Sequence, residues 1–256
     1  MITSKEEIKI EELDIIQYLN AKGIDIVGKY FEYDKNITNR KAIDQVKIMV
    51  NLQKTLLGYN NQSLIRIKST IGKEIESYKV QIRRLQKDYE NIMNIGIEND
   101  FEKLIISDGR RLLNQANESI KYIYSHNYFG IIERSMNREE LCIGRSDQGN
   151  LRVNGNIQIG SLKYISYNLV EEDLYKYIKR IKRKNNNIDE EELIRVFVCE
   201  SHLSNYSINY LRALCSFPRD TLKIWEKYRV NKKLKTYEEF SKEFKNSIDY
   251  ESKIFI

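Results

Sequence analysis

Proline occurs once in the 256 residues, at Pro218, so almost nothing in the chain interrupts a helix and long helices are expected. Cysteine is nearly as scarce. Cys142, Cys199 and Cys215 are odd in number and far apart, form no CxxC pair, and have only His126 and His202 to assist them. This excludes a disulfide framework and argues against a zinc site; the three are expected to be buried thiols in a reducing compartment. Long apolar runs are missing as well. The N-terminal stretch MITSKEEIKIEELDIIQYL is charged and periodic, with no signal-type apolar core and no segment able to cross a bilayer, so no membrane partner and a cytoplasmic chain are expected. Nor is there a large surplus of either charge. Basic residues number 43 and acidic residues 37, a net charge of +6 that permits a nucleic-acid partner without indicating one.

What is present is enough apolar material, 41%, to bury a core, with no internal repeat, no low-complexity tract and no linker that separates two domains. Helical periodicity dominates. From Lys41, Ala42, Val46, Met49, Leu56 and Leu57 fall on one face, interrupted by Gln53, and Gly58 is placed to stop the helix. Ile67, Ile71, Ile75, Tyr78, Ile82, Leu85, Tyr89 and Ile92 then mark a long amphipathic helix whose tyrosine-containing seam suits a globular core better than a coiled coil. Asn99 or Asp100 is expected to cap a further helix through Leu104, Leu112, Ala116, Ile120 and Ile123, ending before Tyr128. The period then shortens. Leu141–Ile143, Leu151–Val153 and Ile157–Ile159 alternate with Gly and Asn, which is strand and turn chemistry. Helical spacing returns at Val170, Leu174, Ile178 and Ile181. After the Asn185–Asn187 loop come helices opened by Asp189 with Glu192 and by Thr236 with Glu239.

This order of elements is similar to the C-terminal lobe of the kinase-like phosphotransferases, the aminoglycoside and choline kinase group, and within it the spore-coat CotS family. The pieces that carry the resemblance, over residues 40–245, are AIDQVKIMVNLQKTLLGYN, GKEIESYKVQIRRLQKDYE, HNYFGIIERSMNREELCIGRSDQGNL, EEDLYKYIKRIKR and LSNYSINYLRALCSFPRDTLKIWEKYR. The last looks like the signature that separates the spore-coat branch from ordinary aminoglycoside kinases. The resemblance implies a mainly α, kinase-like C-lobe with small β-hairpins over 40–256. It leaves residues 1–39 as a short helix and extended segment where a small lobe would be, so that lobe is absent or vestigial.

The resemblance also assigns positions. A family catalytic loop of the form Cys-His-Gly-Asp-Phe-His, two residues, then Asn-Ile, places Cys142 and Gly144 on their counterparts. Ile143 falls on the His, Arg145 on the catalytic Asp and Asn150 on the metal-binding Asn. The family's Ile-Ile-Asp-Phe-Asp falls on Gln158–Leu162, which puts Gly160 on the metal carboxylate, and Asp173 with Leu174 falls on an Asp-Leu pair. Phosphoryl transfer needs a carboxylate to take the acceptor's proton and an Asn and Asp to hold magnesium. Arg145 is always protonated and only donates hydrogen bonds, and Gly160 has no side chain. Asn150 alone makes no magnesium site and serves equally well as a turn residue. The expectation is a pseudokinase with no catalytic residue, no metal and no cofactor: a spore-coat or coat-assembly protein, made in the mother-cell cytoplasm. The alternatives are a residual small-molecule phosphotransferase using Asp147 as a displaced base, and a cytoplasmic regulatory or nucleic-acid-binding module.

Other features have plainer readings. The run Lys179–Lys184 is expected to be solvated at a helix C-terminus rather than to bind phosphate. Tyr78 and Tyr89 are expected in the core, and Trp225, Phe217 and Tyr228 are expected to pack the terminal helices. His126 and His202 have no Ser or Cys partner for a hydrolytic triad. A C-lobe stripped of its small lobe exposes an apolar ledge. Ile8, Leu13, Ile16, Tyr18, Leu19 and Ile24–Val27, or the C-terminal Ile254–Ile256, are candidates to cover it, with a second copy or a coat protein covering the rest.

Overall fold

A computed structural model describes residues 14–32, 36–59, 67–185, 187–232 and 234–256. Ile8 and Leu13 of the expected N-terminal helix, and Asn186 of the Asn-rich loop, lie outside the described residues. Along the chain run α1 (residues 14–21), β1 (Ile24–Ile26), α2 (Asn39–Leu56), α3 (Lys73–Ile95), α4 (Asp100–Ser125) and α5 (Tyr128–Asn137). They are followed by β2 (Leu141–Cys142), β3 (Leu151–Asn154), β4 (Asn156–Ile159), β5 (Ser166–Tyr167), α6 (Glu171–Lys182), α7 (Glu190–Glu200), α8 (Asn205–Ser216), α9 (Arg219–Val230) and α10 (Tyr237–Tyr250).

The helix starts follow capping chemistry. Asn99, Asp189 and Thr236 each accept the backbone N–H three residues on, and Glu239 returns the bond to Thr236 in a full capping box. The apolar seam expected to be helical from Ile67 becomes helical only at Lys73. Gly72 stands at φ +78°, a left-handed conformation that ends the preceding segment, and Ser69 forms a parallel bridge to Tyr167.

The chain folds as two compact units. The first, residues up to Ile71 with Phe129–Ile208, holds α1, α2, α5, α6, α7 and, among the described residues, every strand. Its sheet has the order β1-β4-β3, with β1 parallel to β4 and β3 antiparallel to β4; β2 and β5 form a separate antiparallel pair. Gly155, at φ +74°, turns the hairpin between β3 and β4. Leu19 and Ile24 of the N-terminal segment are buried with Val46, Leu151, Ile159, Leu174 and Ile178. Of the expected cover, Leu19 and Ile24 are therefore part of this unit's core, while Ile16, Tyr18, Ile26 and Val27 are half-buried.

The second unit, Gly72–Tyr128 with Asn209–Ile256, is all helical. Phe101 sits among Tyr228, Phe240 and Phe244 at ring separations of 4.7, 5.4 and 5.4 Å. Phe217 stacks on Tyr78 at 4.0 Å, and Trp225 is buried against the half-buried Tyr89. Ile254 and Ile256, the other expected cover, are exposed because the chain beyond α10 forms no further element.

Trp225, the single tryptophan, donates its indole N–H to Asp88 Oδ2 at 2.7 Å. Burial raises the pKa of Asp88, and this bond, with Arg229 and Lys232, only partly offsets it. Tryptophan fluorescence is therefore expected to titrate with a midpoint above the ordinary aspartate value of about 4, and Asp88→Asn should abolish that step. Because the folded pKa exceeds the unfolded one, the stability linked to Asp88 is fully present below the unfolded value and is lost as pH rises through the folded one. A midpoint at or below about 4 would contradict the assignment.

Candidate functional site

The loop 143–150 between β2 and β3 is clamped from two helices. Asp173, in the first turn of α6, accepts the backbone N–H of Ile143 at 3.0 Å and of Gly144 at 2.9 Å, and its own carbonyl accepts Ser146 Oγ. Asp173 is 1% exposed. Burial raises its pKa, while Lys176 and the two N–H groups pull it back. On the other side Gln45 of α2 donates Nε2 to the carbonyls of Ser146, at 2.8 Å, and Leu151, at 2.9 Å. Gln45 is a polar residue in an apolar stripe, and that was its only signal in the sequence. The same holds for Gln53, which donates to the Val170 carbonyl at 3.2 Å.

Arg145, Asn150 and Gly160 come together at this loop, and none offers a free acceptor side chain. Asn150 Nδ2 donates to the carbonyls of Arg145, at 2.7 Å, and Ser161, at 3.1 Å, while its Oδ1 accepts the Ser161 N–H at 2.8 Å. Its backbone carbonyl accepts the Gly160 N–H at 2.8 Å. The amide is thus a tie between two loops. Asp147, 1% exposed, accepts Arg145 Nε at 3.1 Å and Arg180 Nη1 at 2.8 Å on Oδ2, and the Gly149 N–H at 2.8 Å on Oδ1. Both oxygens of this carboxylate are thus engaged, by two guanidiniums and a backbone amide.

Where a side chain at position 160 would project, the chain's own N-terminal segment passes. A Cβ added to Gly160 would meet the Lys29 carbonyl at 2.7 Å, Asn150 Oδ1 at 3.0 Å and Tyr30 Cα at 3.2 Å. This strap, residues 27–31, continues from β1. Val27 N–H donates to the Ile159 carbonyl and Phe31 N–H to the Gly149 carbonyl, each at 2.8 Å. The Arg145 guanidinium lies 4.2 Å from the Tyr30 ring centre and the Arg152 guanidinium 3.8 Å from that of Phe31. Sequence reasoning missed the strap. Its hydrogen bonds are backbone to backbone and its close approach is to a glycine, which leave no residue pattern beyond the pair Tyr30-Phe31 that the two arginines face.

The remaining candidates are accounted for locally. The basic run is less solvated than expected. Lys179 is buried, Arg180 pairs with Asp147, and Lys182 is buried in an ion pair with Glu190, because α6 carries the run against α7 and the loop rather than into water. Cys142 and Cys215 are buried, and burial pushes the Cys142 thiol well up. Cys199, expected to be buried, is exposed, since it follows the buried Phe197 and Val198 on the outward face of α7. His126 stacks on Tyr122, and His202 holds φ +51° after α7. Among the described residues no helix is long and apolar enough to cross a membrane, and no group of three or more His, Cys, Asp or Glu is placed to hold a metal ion.

These elements match a known architecture. The chain superposes on the crystal structure of an aminoglycoside phosphotransferase from Alicyclobacillus acidocaldarius subsp. acidocaldarius DSM 446 with a TM-score of 0.72, over 98% of this chain and 81% of that one, at 8% identity. No family model and no curated protein sequence matches it. At that identity the likeness defines the fold: mainly helical and kinase-like, with a reduced set of small strands.

Proposed function

We propose that this protein is a catalytically inactive kinase-like protein that acts by binding other proteins, in a spore coat or its assembly. The observation that carries the reading is that positions 145, 150 and 160 offer no free carboxylate and no free amide oxygen. Arg145 is cationic, Asn150 is spent at both ends of its amide, and Gly160 is covered by the Lys29–Tyr30 backbone. Phosphoryl transfer needs a free carboxylate base and a metal-binding carboxylate, and neither is supplied there. Protein contact is supported by α5, which exposes Phe129 by 69% and Met136 by 61%, seven residues and so two turns apart on one face. The spore-coat setting is supported by the resemblance of residues 203–229 to the closing signature of that family. A second copy or a coat protein is the partner, no cofactor is used, and the chain is made in the mother-cell cytoplasm.

The likeness to a protein named an aminoglycoside phosphotransferase favours a second reading, a residual small-molecule phosphotransferase with Asp147 as base. Calorimetric titration with ATP and magnesium separates the two. The proposed reading expects no magnesium-dependent heat and no shift in melting temperature. For scale, a ligand at 100 times its dissociation constant stabilises by about 2.7 kcal/mol, so tight binding would be plain and would overturn it.

A further inference from the structure

We infer that the surface formed by β4, Gly160 and the 143–150 loop is a peptide-binding groove that takes an extended protein segment carrying two consecutive aromatic residues, filled here by the chain's own Ile24–Phe31. The inference rests on the reading of the site as non-catalytic and names what the site binds instead. Recognition is divided as in other modes of strand addition, with main-chain bonds holding the segment and side-chain contacts selecting it. The main-chain part is the parallel pairing of Ile24–Ile26 with Ile157–Ile159, extended by Val27 N–H to the Ile159 carbonyl and Phe31 N–H to the Gly149 carbonyl, each at 2.8 Å. These bonds accept any sequence. The selective part is the pair of guanidiniums that face Tyr30 at 4.2 Å and Phe31 at 3.8 Å.

Both guanidiniums are oriented by a second partner. Arg145 Nε donates to Asp147 at 3.1 Å and Arg152 Nε to Gln158 Oε1 at 3.0 Å, so the planes on which the rings rest are fixed by the domain rather than by the strap. Gly160 completes the floor, since its missing Cβ lets the segment's backbone lie flush. Tyr30 remains 42% exposed, so the strap lies on the surface and is not enclosed by the core.

The test uses the full chain with the strap weakened by Tyr30→Ala and Phe31→Ala, and a fluorescein-labelled synthetic peptide of the sequence IDIVGKYFE read by anisotropy. The double variant is expected to bind this peptide at least tenfold more tightly than the wild type, whose groove is occupied. Binding should be lost when Arg145→Ala and Arg152→Ala are added, and when the peptide carries Ala-Ala in place of Tyr-Phe. If circular dichroism shows the double variant unfolded, Tyr30→Ala alone serves. A folded variant that ignores the peptide, or binds the Ala-Ala peptide equally well, overturns the inference. A parallel titration of the wild type with ATP and magnesium tests the non-catalytic reading separately, so the two failures are distinguishable.

Discussion

Arg134→Ala is expected to destabilise the chain by about 3–5 kcal/mol, the cost of breaking a buried ion network by removing one partner. Arg134 on α5 donates Nε and Nη2 to the two oxygens of Glu140, at 3.1 and 2.9 Å, and Nη1 and Nη2 to those of Glu171, each at 2.8 Å. Ser207 accepts from Nη1 at 3.1 Å and donates to Glu171 Oε1 at 2.6 Å. Burial alone would lower the pKa of Arg134, but Glu171 and then Glu140 hold it above its ordinary value. Glu140 and Glu171 are 2% and 0% exposed, so without the guanidinium they are two desolvated carboxylates, with the exposed Arg138 at 4.0 Å from Glu140 and Ser207 on Glu171 as weaker remaining partners.

The same contacts give this variant a pH signature. Burial already raises the pKa of Glu140, with Arg134 opposing and the Glu171 charge assisting the rise. Removing Arg134 raises it further, so the folded variant takes up a proton more readily than the unfolded chain. Stability tied to that proton is present below the unfolded value and is lost as pH rises through the folded one. The deficit against wild type, measured by urea unfolding, should therefore be larger at pH 8 than at pH 5. Arg134→Lys should rescue little, since one ammonium cannot replace two bidentate pairings. A loss below about 1 kcal/mol, the scale of a surface pair, would show that water reaches the carboxylates.

The parts of this fold that were legible in the sequence are those fixed by near neighbours. Asn99, Asp189 and Thr236 announce helix starts because each bonds an amide three residues on, and the Gly- and Asn-spaced runs announce β3 and β4 because the hairpin is local. Where periodicity misled, at Ile67 and Ile71, apolar spacing continues through a segment that the left-handed Gly72 separates from α3. The two-residue strand Ser166–Tyr167 is too short to carry a pattern. At the site, the resemblance brought Arg145, Asn150 and Gly160 to one loop, whereas the segment that covers Gly160 was not legible. Arg180 on Asp147, Arg152 on Phe31 and Lys29 over Gly160 are meetings of residues distant in the chain, made by two arginines, a lysine and a glycine whose types are common on any surface.

Arg145→Asp combined with Gly160→Asp supplies carboxylates at the two positions where the family resemblance expects them, yet no ATP turnover above background is expected. A Cβ at position 160 would stand 2.7 Å from the Lys29 carbonyl and 3.0 Å from Asn150 Oδ1, and the added carboxylate brings further oxygens to these acceptors. Overpacking of this kind costs about 1–3 kcal/mol, and the relief open to the chain is to lift the strap, which gives up the bonds from Val27 and Phe31. The change at position 145 adds to this. It removes the guanidinium from Tyr30 and sets a new carboxylate beside the buried Asp147, leaving Arg180 as the cation bonded there. Hydrogen exchange at the Val27 and Phe31 amides should therefore quicken in Gly160→Asp alone and more in the double variant, while Arg152→Ala should loosen Phe31 with less effect on Val27. Even with the strap lifted, Asn150 Oδ1 remains bonded to the Ser161 N–H and its Nδ2 to two carbonyls, so a magnesium ion would have to break the tie that joins the loops. Measurable phosphate release by the double variant would show instead that this tie yields to the metal, and that the two carboxylates were all the site lacked.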